Sequence, residues 1–94
     1  MPYISVLYPE ESRQTMQIPE NGLLIGRGSS CNLRLFDEFV SAKHCKIFSE
    51  NEIIFVEDLG STNGTFIDGT EVGKKSPLEI GQNIQIGITV IKLG

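Results

Sequence analysis

The sequence predicts an all-β sandwich. Three observations carry that expectation. Short runs rich in β-branched and aromatic residues recur along the chain, several of them alternating apolar with polar. Turn-forming residues separate these runs about every eight to ten positions, the spacing of a sandwich. Nowhere do apolar residues recur at i, i+3, i+4 and i+7 over a helix-length stretch. The 94 residues fit one domain, residues 1–94, with no repeat or linker. That length supports an ordinary hydrophobic core without disulfide or metal staples.

Each element follows from local chemistry. Residues 3–8 form a β-rich run that Pro9 ends, and residues 10–13 are a polar turn. Residues 14–18 alternate until Pro19 stops them. Asn21-Gly22 is a hairpin signal, and residues 23–27 are the next strand, closed by the loop chemistry of Gly28-Ser29-Ser30. Residues 32–35 alternate again. Residues 37–43 show no period and read as a loop. Residues 44–48 are a strand and 49–52 a turn. Residues 53–56 are the most apolar run, expected to be a central strand. Residues 60–64 are a loop, 65–67 a short strand, Asp68-Gly69 a turn and 70–72 another short strand. Residues 73–77 read as loop. After the Gly81-Gln82 turn, residues 83–86 and 88–93 close the chain.

Composition narrows the function. The formal net charge of -4 argues against a nucleic-acid backbone partner, which calls for a basic face. No apolar run is long enough to span a bilayer, and no secretory leader is recognisable. Cys31 and Cys45 form no C-x-x-C pair and read as reduced thiols of an intracellular protein, cytoplasmic in the first place, with a nuclear location left open. One histidine and two cysteines are too few for a zinc site, so neither metal nor cofactor is expected.

Three polar clusters stand at strand ends, where loops carry function. In Gly26-Arg27, a guanidinium fork after a glycine suits a phosphate or carboxylate. The plain alternative is a surface arginine paired with an acid such as Asp58. In Ser41-Ala42-Lys43-His44, a loop hydroxyl and N–H could hold an anion. His44 reads as a partly buried imidazole bonding across loops. An enzymatic reading, Ser41 and His44 as a nucleophile pair with Asp58, lacks a nucleophile elbow and room for a substrate cleft. In Gly60-Ser61-Thr62-Asn63-Gly64, Asn-Gly is either a hairpin turn or an exposed tip of hydroxyl and amide groups. Gly26-x-Gly28 lacks the third glycine and following helix of a nucleotide loop.

Together the clusters, with Cys31-Asn32-Leu33-Arg34-Leu35, the run from Asp58 to Ile67, and Leu78 through Gly81 to Ile84 and Gly87, resemble the forkhead-associated (FHA) domain family from Ile4 to Leu93. The resemblance implies an eleven-stranded β-sandwich, largely antiparallel, that binds phosphothreonine peptides without catalysis, in Ser/Thr kinase signalling. It implies that Arg27 contacts the phosphate and that the Ser41 hydroxyl and N–H also hold it. Thr62 would flank the phosphothreonine and Asn63 would bond the peptide main chain. Lys43, Ala42 and Ser61 are possible further contacts. Gly26, His44 and Gly64 match loop-scaffold positions. Ala42 stands where many relatives carry a polar or basic contact, and Gln82 where an aspartate is common. Asp37, Glu38 and Phe39 lie in the loop that helps choose the residue downstream of the phosphothreonine, so an acidic loop implies a basic or apolar preference there. The expected partner is a phosphothreonine-containing protein, and the chain a monomer or part of a larger protein. The competing reading is a phosphate-independent interaction scaffold of the same fold.

Overall fold

The computed structural model describes residues 2–94. Among them are eleven strands and one 3-10 turn, Glu10–Ser12. The strands are β1 Tyr3–Tyr8, β2 Gln14–Gln17, β3 Leu23–Gly26, β4 Leu33–Arg34, β5 Cys45–Glu50 and β6 Ile53–Asp58. They continue with β7 Thr65–Ile67, β8 Thr70–Glu71, β9 Lys75–Pro77, β10 Asn83–Ile86 and β11 Thr89–Leu93. They build a six-stranded sheet, β2-β1-β11-β10-β7-β8, and a five-stranded sheet, β4-β3-β5-β6-β9. Neighbours are antiparallel except β3 and β4, which pair in parallel through Ile25 and Leu33.

Alternation places the core. Ile4 and Val6 of β1, Ile84 and Ile86 of β10, and Ile91 and Leu93 of β11 face inward from one sheet. Leu23 and Ile25 of β3, Cys45 and Ile47 of β5, and Val56 of β6 meet them from the other. Each such aliphatic side chain contributes about 1.5–3 kcal/mol by leaving water. Among the described residues, no buried side-chain nitrogen or oxygen lacks a hydrogen-bond partner.

Register decides which loops meet. β3 runs toward Gly26, β5 starts beside it, and β6 ends beside the start of β5, with Asp58 opposite Cys45. In the other sheet Ile86, the end of β10, lies opposite Thr65, the start of β7. Loops 26–32, 35–44 and 59–64 and the β10–β11 turn therefore gather at one end of the sandwich.

The structure corrects several sequence expectations. Residues 75–77 form β9, paired with β6 through Phe55–Pro77, Val56–Ser76 and Glu57–Lys75, where the sequence reads as loop. A lysine- and proline-bearing strand is edge chemistry, and its backbone pairing leaves no apolar pattern. β6 lies inside its sheet as expected, paired with β5 on one side and β9 on the other. Its apolarity is divided: Val56 is buried, Ile53 is exposed, and Phe55 sits 5.9 Å from Phe48 under the Lys75 ammonium. β4 is two residues long, and His44 precedes β5 instead of opening it.

Candidate functional site

β3 delivers Gly26-Arg27 to the loop end, and the backbone there locks onto the segment that carries Ser41. The Arg27 N–H donates to the Ser41 carbonyl at 3.0 Å, and the Gly28 N–H to the Ala42 carbonyl at 3.0 Å. The Cys31 thiol donates to the same Ala42 carbonyl at 3.1 Å. Gly26 permits this approach: a Cβ there would lie 2.3 Å from the Ala42 oxygen. The Arg27 side chain is exposed, and among the described residues its guanidinium has no hydrogen-bond or ion-pair partner. Arg34, by contrast, donates from Nε to the Arg27 carbonyl at 2.9 Å and lies over the Phe36 ring. It braces the backbone below Arg27.

His44 is completely buried and joins the loops. Its Nδ1 accepts from the Ser41 N–H at 3.1 Å. That leaves Nε2–H to donate to the Gly64 carbonyl at 2.8 Å. Its own carbonyl accepts from the Leu59 N–H at 3.0 Å. One imidazole thus sets the position of Ser41 against the 59–64 loop. The Ser41 N–H is consumed in this bond, which corrects the expectation that it faces an anion. The Ser41 hydroxyl oxygen accepts from the Thr62 N–H at 3.1 Å, and its proton remains available.

Asn63 is exposed, with Nδ2 donating to the Phe39 carbonyl at 2.8 Å. This bond orients the amide and leaves Oδ1 free to accept. Thr62, the neighbour of Asn63 in the chain, is exposed, as are Lys43 and Ala42, and the Ala42 N–H has no partner among the described residues. Gly64 takes φ +87°, a conformation that favours glycine.

Ser61 belongs to the frame. Its hydroxyl donates to Asp58 Oδ1 at 2.6 Å and accepts from the Gly64 N–H at 3.0 Å, so no proton is left for an anion. Asp58 also accepts from the Gly60 and Ser61 N–H groups, each at 3.1 Å, and from the Thr65 hydroxyl at 2.8 Å. Burial acts to raise the Asp58 pKa, but these hydrogen bonds outweigh it and hold it below the ordinary value. The Asp58 carboxylate thus makes neither an ion pair with Arg27 nor a hydrogen bond to His44. Ser41, His44 and Asp58 form no relay, since Nδ1 receives an amide proton where a base would face the hydroxyl.

A second carboxylate, Asp37, is buried against the β10–β11 turn and accepts from Phe39, Ile88 and Thr89. Of the two acids in the loop read from the sequence, Asp37 is buried and Glu38 faces solvent. Sequence reasoning missed both carboxylate anchors. The signal for Asp58 was there: an aspartate two and three residues before Gly60-Ser61 is an Asx-turn pattern. For Asp37 only the bond to Phe39 is local, and its bonds to Ile88 and Thr89, about fifty residues away, had no such signal. An open groove of about 490 Å³ runs from Asn63, walled by Phe39, Phe66 and Ile88. Cys31 and Cys45 are unpaired, and burial pushes the Cys45 thiol far above its ordinary pKa. Among the described residues, no group of three or more His, Cys, Asp or Glu is placed to hold a metal, and no helix is long and apolar enough to cross a membrane.

Known proteins share this frame. The FHA domain family matches residues 23–87. FhaB of Mycolicibacterium smegmatis, an FHA domain-containing protein, is 41% identical over 71 residues, covering 76% of this chain and 46% of FhaB. FhaB of Mycobacterium tuberculosis is 38% identical over 76 residues, 81% of this chain and 49% of that protein. The chain thus spans about half the length of these curated relatives. The crystal structure of the FhaA FHA domain, complexed with the intracellular domain of another protein, superposes with a TM-score of 0.90 at 30% identity and full coverage of both chains. An FHA domain solved in a study of phosphothreonine-dependent interactions gives a TM-score of 0.88 at 30% identity, over 98% of this chain and 93% of that one. A family match over most of the length, relatives of this identity and a superposition of the whole sandwich place this chain in the FHA domain family.

Proposed function

We propose that this chain, as a single domain over residues 1–94, is a non-enzymatic module that binds phosphothreonine-containing protein segments downstream of a Ser/Thr kinase. It would act inside the cell, in the cytoplasm first of all. The observation that carries this reading is the unpaired, exposed Arg27 guanidinium, its backbone bonded to the segment that bears the Ser41 hydroxyl. A phosphothreonine carries about -1.5 to -2 charge at neutral pH and three strong acceptor oxygens. Arg27 supplies a charged fork and Ser41 a hydroxyl proton. The Ala42 N–H takes the place the Ser41 N–H gives up to His44. Lys43 adds charge at the rim. Asn63 Oδ1 accepts from the peptide main chain, and Thr62 stands beside the phosphothreonine. Gly26, His44 and Gly64 hold these groups without touching ligand.

Charge-assisted hydrogen bonds contribute roughly 1.5–3 kcal/mol each. A pocket resting on one arginine is therefore moderate in affinity and sharply dependent on the phosphate. Titration of matched phosphorylated and unphosphorylated peptides tests this, and equal binding of the two overturns it. Arg27→Ala is expected to weaken binding about 10- to 100-fold with the fold intact. Arg27→Lys weakens it less, since a point charge replaces a fork. A partner whose binding Arg27→Ala leaves untouched would favour a phosphate-independent scaffold instead.

The groove beside Asn63 sharpens the expected peptide preference. Its walls are Phe39, Phe66 and Ile88, with exposed Glu38 next to Phe39 in the chain and exposed Glu71 opposite Phe66 across the strands. An apolar residue downstream of the phosphothreonine fits this lining, and a library screen that selects Asp or Glu there would overturn the assignment.

A further inference from the structure

Two walls of the groove hang from one side chain. Phe39 lies in the loop before Ser41, and Ile88 lies in the β10–β11 turn of the other sheet. The Phe39 N–H donates to Asp37 Oδ1 at 2.9 Å, and the Ile88 N–H donates to Asp37 Oδ2 at 2.9 Å. Thr89 adds its N–H at 3.2 Å and its hydroxyl at 2.9 Å, both to Oδ2. The carboxylate is a two-sided clamp, with one oxygen for each wall. It is 6% exposed, and Thr89 is 2% exposed, so little of the carboxylate is left for water to reach. Gly87 closes the clamp from behind: a Cβ there would stand 2.7 Å from Oδ2. The clamp also reaches Asn63, because the Phe39 carbonyl holds the Asn63 amide.

We propose that Asp37 is a positioning residue for specificity: it sets the separation of Phe39 and Ile88, and so the width of the groove that receives an apolar peptide side chain next to Asn63. The proposal rests on the phosphothreonine-peptide reading above. Four donors converge on this carboxylate, and an amide in its place must turn NH₂ toward one wall's donors. Asp37→Asn therefore releases either Phe39 or the β10–β11 turn while leaving Arg27 and Ser41 where they are.

The test is a set of phosphothreonine peptides carrying Leu or Ala at the position that an alanine walk assigns to the groove. Each is titrated into the whole chain and into Asp37→Asn, with an unphosphorylated copy alongside. The unaltered chain is expected to prefer Leu by roughly ten-fold, the discrimination an apolar pocket achieves. In Asp37→Asn that preference is expected to fall to within about two-fold of none, with phosphate dependence retained. A folded Asp37→Asn that keeps the Leu preference overturns the proposal. So does an equal weakening of both peptides, which would make Asp37 a stabiliser of the fold alone. An unaltered chain that ignores the phosphate is a separate result, and it overturns the reading on which the proposal rests. If Asp37→Asn does not fold, Thr89→Val, which removes one donor at nearly constant shape, takes its place. A reduced Leu preference then supports the clamp, and an unchanged one overturns it.

Discussion

Arg27 and Asn63 reach solvent only because residues behind them are fully committed. Gly26 is the sharpest case. Any side chain there meets the Ala42 carbonyl at 2.3 Å, and that carbonyl already accepts from Gly28 and Cys31. Gly26→Ala must push the Ser41 segment outward, so it is expected to cost about 1–3 kcal/mol of stability. Binding suffers as well, since Ser41 moves away from Arg27. Urea denaturation and peptide titration of the same variant read the two effects separately. His44→Ala strands the Ser41 N–H and the Gly64 carbonyl in a buried site. Leaving a buried group unpaired costs about 1–3 kcal/mol. Loss of phosphopeptide binding by His44→Ala therefore reports loosened loops, and a destabilisation too small to measure would show that His44 is not the brace it looks.

At the scale of elements, β10 and β11 are interior strands of the six-stranded sheet that carry part of the core. Ile84 and Ile86 are fully buried, and β10 pairs with both β7 and β11. Ile84→Val is expected to cost about 0.5–1.5 kcal/mol and Ile84→Ala about 2–5 kcal/mol, measured as a shift in urea midpoint. Neither change touches a loop of the site, so phosphopeptide affinity below the unfolding transition should be unchanged. The edge strand β9 contrasts with this. Its Lys75 pairs with Glu50 at 3.3 Å, both partners being exposed, and lies over Phe55. Such exposed pairs contribute no more than about 1 kcal/mol.

For the whole molecule, two inward-turned carboxylates govern behaviour in acid. Asp37 and Asp58 sit at the loop end, and both pKa values lie below the ordinary 3.8. For Asp37, burial acts to raise the value, and hydrogen bonds from Phe39, Thr89 and Ile88 overcome it. The unfolded chain therefore takes up protons first as the pH falls. The stability these groups supply is complete above the unfolded value and is lost as the pH drops through the folded one. Urea midpoints should be nearly flat from about pH 7 to about pH 5 and fall below about pH 4. Asp37→Asn and Asp58→Asn should each flatten that fall, and a variant with the unaltered acid slope would show that its carboxylate is not one of the groups responsible.

Local chemistry alone determined the all-β class, most strand positions and the three polar clusters, because alternation and turn residues act over a few positions. The motif set also carried the family, and with it Arg27, Ser41, Thr62 and Asn63 as candidates. Tertiary structure decided what each polar group has left to give. Ser41 loses its N–H to His44, and Ser61 spends its hydroxyl on Asp58. Asp37 turns away from solvent to meet Ile88 and Thr89, about fifty residues on. The β9 strand likewise appears only when β6 offers it an edge. A hydrogen-bonding group is free or occupied according to neighbours distant in the chain, and only the folded backbone brings those neighbours within reach.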